Sequence, residues 1–173
     1  MFPAVNLTRF LARTIFLTVL GSGVIAPALA QLQTTGLPLP RFVSLRAPEV
    51  NMRTGPGVQY PVEWVYRRRY LPVEIIAEYG TWRKVQDWQG TQGWIHQSML
   101  TGKRTLIVTG ATRTLRRRPD SSSAAQAKVE IDSIGDIRSC RETDTWCRVD
   151  IGGYDGWFRR VDFWGAYDGE KIE

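Results

Sequence analysis

A single histidine and two cysteines are few, in a chain of 173 residues, for nucleophilic or transition-metal chemistry. A Cys–His or Ser–His pair would have to be built on His96, and a metal would need more ligands than Cys140, Cys147 and a distant His96 supply. No motif asks for a cofactor. Helical periodicity is as scarce: only residues 121–128, small, polar and alanine-rich, hint at a helix beyond the N-terminus. No acidic pair sits beside a recognisable cleft motif. These shortages argue against an enzyme and for an all-β binding protein.

A long hydrophobic run is missing too. The apolar stretch from Thr14 to Ala26 is broken by Thr18 and Gly21-Ser22-Gly23, and it falls short of the ~20 residues that span a bilayer. Arg9 and Arg13 precede it, no acid lies within residues 1–30, and Pro27-Ala28-Leu29-Ala30 follows. A basic start, a short apolar middle and an Ala-x-Ala end make a secretory signal peptide, cleaved between Ala30 and Gln31. The expectation is an exported, periplasmic protein with no stable membrane span after cleavage.

Cleavage removes two arginines and takes the net charge from +6 to +4. That is mildly basic, far from the dense positive field of a nucleic-acid binder, and export removes nucleic acid as a partner. An anionic envelope polymer or an envelope protein suits it better. In an oxidising compartment an even cysteine count favours a Cys140–Cys147 disulfide over free thiols. The six polar residues between them allow a hairpin.

What the chain does have is aromatic residues, with seven Trp and six Tyr, punctuated by strands and tight turns. Residues 31–40, with two prolines and no charge before Arg41, read as an extended leader, of a kind usually disordered. Strands follow at Phe42-Val43-Ser44-Leu45-Arg46 and Val50-Asn51-Met52-Arg53, with Met52 inward and Arg53 outward. The turn Thr54-Gly55-Pro56-Gly57 breaks the strand. Further strands are expected from Tyr60 to Tyr66, from Val73 to Tyr79, from Trp82 and at Gly93-Trp94-Ile95, with a 3₁₀ turn near residues 97–100.

The pattern then repeats. An offset of 63 residues carries Met52 to Leu115, Gly90 to Gly153 and Gly93-Trp94 to Gly156-Trp157, and an offset of 64 carries Trp82 to Trp146. A period of this size fits one small barrel per copy. The expected layout is a signal peptide at 1–30, a leader at 31–40, barrels at 41–104 and 105–167, and a tail at 168–173.

The residues Asn51-Met52-Arg53-Thr54-Gly55-Pro56, Leu71-Pro72-Val73-Glu74, Trp82-Arg83-Lys84-Val85 and Gly90-Thr91-Gln92-Gly93-Trp94 resemble the bacterial SH3-like domain family. Trp146-Cys147-Arg148-Val149, Gly156-Trp157 and Phe163-Trp164-Gly165 carry the same resemblance in the second copy. It implies two tandem SH3-like β-barrels, of a type found in exported proteins of Gram-negative bacteria. It also implies a binding module for cell-wall peptide or glycan, or for proteins.

Alternation sorts the aromatics. Trp82, Lys84, Gln86 and Trp88 share one strand face, with Arg83, Val85 and Asp87 on the other; Trp146 shares a face with Arg148 and Asp150, opposite Cys147, Val149 and Ile151. The two matching indoles thus fall on the more polar face, where they could build a groove, or instead close a barrel end or fill the contact between domains. The candidate ligand-binding set is Arg53, Tyr60, Tyr66, Tyr79, Trp82, Trp88 and Trp146. His96 reads as a solvent-facing polar residue, and Trp94 and Trp157 read as core. The function expected is a non-enzymatic module that binds peptidoglycan or its peptide stems; the alternative is a periplasmic protein–protein adapter.

Overall fold

A computed structural model describes residues 35–173. The signal-peptide boundary at Ala30 and Gln31 lies outside the described residues. Among the described residues no helix is long and apolar enough to cross a membrane.

The first barrel runs β1 (Arg41–Leu45), β2 (Val50–Arg53), β3 (Val62–Tyr66), β4 (Pro72–Tyr79), β5 (Trp82–Gln86), β6 (Gln92–His96), a 3₁₀ turn (Gln97–Met99) and β7 (Leu100–Thr101). The second runs β8 (Thr105–Val108), β9 (Arg113–Arg116), β10 (Ala125–Val129), β11 (Ile134–Cys140), β12 (Trp146–Ile151), β13 (Tyr154–Arg159), a 3₁₀ turn (Arg160–Asp162) and β14 (Phe163–Trp164). Each makes a seven-stranded antiparallel sheet, in the orders β3-β2-β6-β5-β4-β1-β7 and β10-β9-β13-β12-β11-β8-β14. The two orders are identical position for position.

Period-two alternation explains most of the burial. Met52 is fully buried with Arg53 at the surface, and on β5 the face bearing Arg83 and Val85 is buried while Trp82, Lys84 and Gln86 are half-buried. On β12, Cys147, Val149 and Ile151 point inward. At β6 and β13 the close crossing is made by glycine: a Cβ on Gly93 would lie 2.5 Å from the Met52 Cγ, and one on Gly156 would lie 2.8 Å from the Arg116 carbonyl oxygen. Trp94 and Trp157 are only half-buried and belong to neither core cluster. The shared packing role of the Gly-Trp pairs therefore rests on glycine, not on the indole.

Three segments depart from the sequence expectation. Residues 121–128 form a turn and then β10, because pairing with β9 outweighs a weak helical preference. Glu170 grips Arg104 (2.5 and 2.9 Å), while Ile172 is buried and bridges Cys140, so the expected tail belongs to the second core. The end of the leader is tied down as well: the backbone N–H and the hydroxyl of Thr35 donate to Glu78 at 2.6 and 2.7 Å.

The barrels share β8. All four of its residues are buried: Leu106 and Val108 enter the second core, while Ile107 enters the first. A strand covered on both faces reads as a continuous apolar run rather than an alternating one. Around it, Thr105 bonds to Ser44 (2.7 Å) and the Tyr70 carbonyl (2.8 Å), Phe42 packs edge-on to Trp164 (4.7 Å between ring centroids), and the Tyr167 hydroxyl donates to Glu74 at 2.7 Å.

Candidate functional site

In each barrel the turn after β2 or β9 folds back over the sheet, because a strand that meets Gly-Pro-Gly or Arg-Pro-Asp cannot continue its ladder. Arg53 braces this loop by donating to the carbonyls of Val58 (3.2 Å) and Tyr60 (2.7 Å). Arg116 does the same in the second copy by donating to the Ser123 carbonyl at 2.5 Å. Between the loop, the start of β5 or β12 and the 3₁₀ turn, each barrel leaves an open groove.

The first groove, about 300 Å³, is lined by Asn51, Arg53, Val58, Trp82, His96 and Met99, with Glu49 and Ser98 at its rim. The second, about 220 Å³, is lined by Arg113, Thr114, Arg116, Ser121, Trp146, Arg159 and Asp162, and adjoins a space of about 410 Å³ bounded by Pro119, Asp120, Thr145 and Val161. The 63-residue offset carries Asn51 to Thr114, Arg53 to Arg116, Val58 to Ser121, His96 to Arg159 and Met99 to Asp162, and Trp82 answers to Trp146. The same groove is built twice.

Its floor is an indole flanked across the ladder by a nitrogen-bearing side chain. Trp82 pairs with His96 (ring centroids 5.4 Å, edge-on), and Trp146 pairs with Arg159. The His96 Nδ1 lies 2.7 Å from the Ser98 hydroxyl at the start of the 3₁₀ turn. Arg83, buried beneath, donates to the carbonyls of Gly80 and Trp82 and to the Gln97 side chain (2.8, 2.9 and 2.6 Å), so it fixes Trp82 relative to the 3₁₀ turn. In the second copy the Cys140–Cys147 disulfide holds the corresponding strands, and Arg113 pairs with Asp162 at 3.3 Å on the groove wall.

Of the sequence candidates, Arg53 and Trp82 meet in the first groove and Trp146 sits in the second. Tyr79 is exposed across the ladder from Trp82, and Tyr60 is exposed against the Gly55 turn. Tyr66 is a correction: it is 4% exposed, and its hydroxyl donates to the Asp87 carboxylate at 3.0 Å. Burial, then the Asp87 charge, drives the Tyr66 phenol far above its ordinary range. Asp87 also accepts from the backbone N–H groups of Gln89 and Thr91, so this pair builds a turn rather than a ligand site. Trp88 lies past the other end of β5, where it lines a separate pocket with Trp64. His96 is the groove residue that the sequence reading passed over. Its cross-strand register with Trp82 and its counterpart Arg159 were the available signals.

Residues 46–102 and 110–165 each match the bacterial SH3 domain. The chain belongs to the bacterial SH3 domain family. The two SH3 matches fall on the two barrels described above, each beginning after the barrel's first strand. No curated protein matches the chain. Among solved structures, NlpC2 from Trichomonas vaginalis is similar at 15% identity and a TM-score of 0.34, covering 74% of this chain and 49% of that one. NlpC1 from the same organism gives 14%, 0.33, 75% and 47%, and an NlpC/P60 family protein from Bacillus cereus ATCC 10987 gives 15%, 0.32, 71% and 55%. The SH3 chain spans about half the length of the solved structures it matches.

Proposed function

We propose that this protein is an exported, non-enzymatic binder of cell-wall peptidoglycan that works in the periplasm and engages the peptide stems with its two matched grooves. The observation that carries the reading is the duplication of one groove, with Trp82 and Trp146 on equivalent strands and a nitrogen-bearing side chain beside each. An indole offers flat apolar area and an N–H at low entropic cost, which suits a peptide backbone or a sugar face. Arg159 adds a fork for a stem carboxylate. The Cys140–Cys147 bond supports export, because such bonds persist in oxidising compartments. His96 caps the 3₁₀ turn through Ser98, a structural role that supports the non-enzymatic reading.

Co-sedimentation of the protein with purified sacculi tests this. Retention in the pellet, lowered by Trp82→Ala and by Trp146→Ala, is the expected result. Protein left in the supernatant at low salt overturns it.

A further inference from the structure

Outside the two grooves, the least balanced part of the surface is β3. Among the described residues it ends its sheet, pairing only with β2, and yet carries Val62, Trp64 and Val65 at 41, 55 and 38% exposure. A hydrophobic edge strand with a free ladder side is what soluble proteins cover or charge, because it templates pairing with another chain. The second barrel has done so: its equivalent edge strand β10 bears Ala125, Gln126, Ala127 and Lys128 in place of the large apolar groups. The difference points to a use confined to the first barrel.

Beside the edge lies a pocket of about 280 Å³ walled by Trp64, Tyr66, Leu71 and Trp88. Arg67, the residue after β3, is open to solvent; its contact with Glu49 is 3.3 Å between two side chains that are both mostly exposed. Glu63 is exposed and forms no ion pair among the described residues. The charge on β3 is therefore self-complementary: an acid lies two residues before Val65 and a base two residues after it.

We propose that β3 is the seam of a two-fold dimer, running antiparallel to β3 of a second copy of this chain in a register centred on Val65. In that register Val65 faces its own counterpart, Trp64 faces Tyr66, and Glu63 faces Arg67 on both sides of the axis. Opposite charges directly across an antiparallel ladder stabilise it and like charges oppose it. Trp64 of each copy is carried toward the pocket walled by Tyr66, Leu71 and Trp88 of the other. Sliding by one step of the two-fold register would set Arg67 against Pro61, which has no N–H to give. The seam runs beside the Trp82 groove, since Asn51 of that groove lies across the ladder from Val65.

Sedimentation equilibrium over the micromolar range, on the disulfide-bonded chain, tests the seam. Wild type should be dimeric, Glu63→Arg and Arg67→Glu should each weaken the dimer at least about tenfold, and the double exchange should restore it. In parallel, Val65→Cys should crosslink to itself on mild oxidation, a readout that does not depend on the charge variants folding. A wild-type monomer, single variants that dimerise as well as wild type, a double exchange that stays monomeric, or Val65→Cys that does not crosslink would each overturn the proposal.

Discussion

The Oε1 of Glu78 lies 3.3 Å from the Nε of Arg83 across the β4–β5 ladder, with both side chains almost wholly buried. In the second barrel the equivalent cross-strand pair is Cys140 and Cys147, joined by a disulfide. An ion pair and a covalent bond thus do the same work at the same place, holding together the strands that present Trp82 and Trp146. The two should fail differently. Glu78→Gln leaves Arg83 buried with one anion fewer and should destabilise the chain by about 3 kcal/mol in urea denaturation. Reduction, or Cys140→Ser with Cys147→Ser, should cost about 2–3 kcal/mol, with no effect on the Glu78 pair.

Acid should act through the same carboxylate. Burial would raise the Glu78 pKa, but the Thr35 N–H, Arg41, the Thr35 hydroxyl and Arg83 together outweigh it and hold it at about 2, against 4.5 when free. The unfolded chain therefore takes up this proton first as pH falls. The stabilisation is complete above pH 4.5 and is lost progressively down to about pH 2. Glu170 is depressed in the same direction: burial opposes the shift, and the Arg104 fork and the Tyr167 N–H overcome it. Thermal melts from pH 6 to 2 should show Tm falling through this window, with a shallower fall in Glu78→Gln.

The grooves should be separable by substitution. Trp82→Ala and Trp146→Ala should each weaken binding to sacculi about tenfold, the usual cost of truncating a central aromatic anchor. Arg159→His should lessen the salt dependence of binding by making the second groove resemble the first, and His96→Arg should do the converse. Affinity measured against sodium chloride concentration reads this directly.

Tyr66 gives the opposite test. Tyr66→Phe removes the hydroxyl that Asp87 accepts but leaves the ring in the core, so stability should fall by about 1–2 kcal/mol while sacculus binding is unchanged. Lost binding at wild-type stability would return Tyr66 to the ligand site.

Gly93→Ala and Gly156→Ala should each cost about 1–3 kcal/mol or more, because the new methyl meets Met52 in one copy and the Arg116 backbone and Leu115 in the other. The Gly156 change should be the worse tolerated, since its backbone contact, 2.8 Å to the Arg116 oxygen, is closer than the 3.0 Å from Gly93 to the Arg53 oxygen, and Met52 can swing aside. Urea midpoints would rank the two.

Most strands were legible because one face of each is buried, and the alternation placed even Arg83 and Asp87 inward despite their charge. The duplicated landmarks located the second barrel for the same reason. What stayed hidden depended on partners far along the chain. Tyr66 is tolerated in the interior because its hydroxyl donates to Asp87, 21 residues on. Residues 168–173 look like a tail until Arg104 finds Glu170, 66 residues away. The groove was half visible: its indoles stood out by position, whereas His96 needed the β5–β6 register that sets it beside Trp82.

Since β8 hands alternate side chains to both hydrophobic interiors, no stretch between the barrels is left to swivel. The distance from Trp82 to Trp146 is then a calliper setting. On the proposed function, a polymer whose repeat matches that gap would be gripped at both points with little further loss of freedom, whereas a single free stem fragment would feel only one jaw.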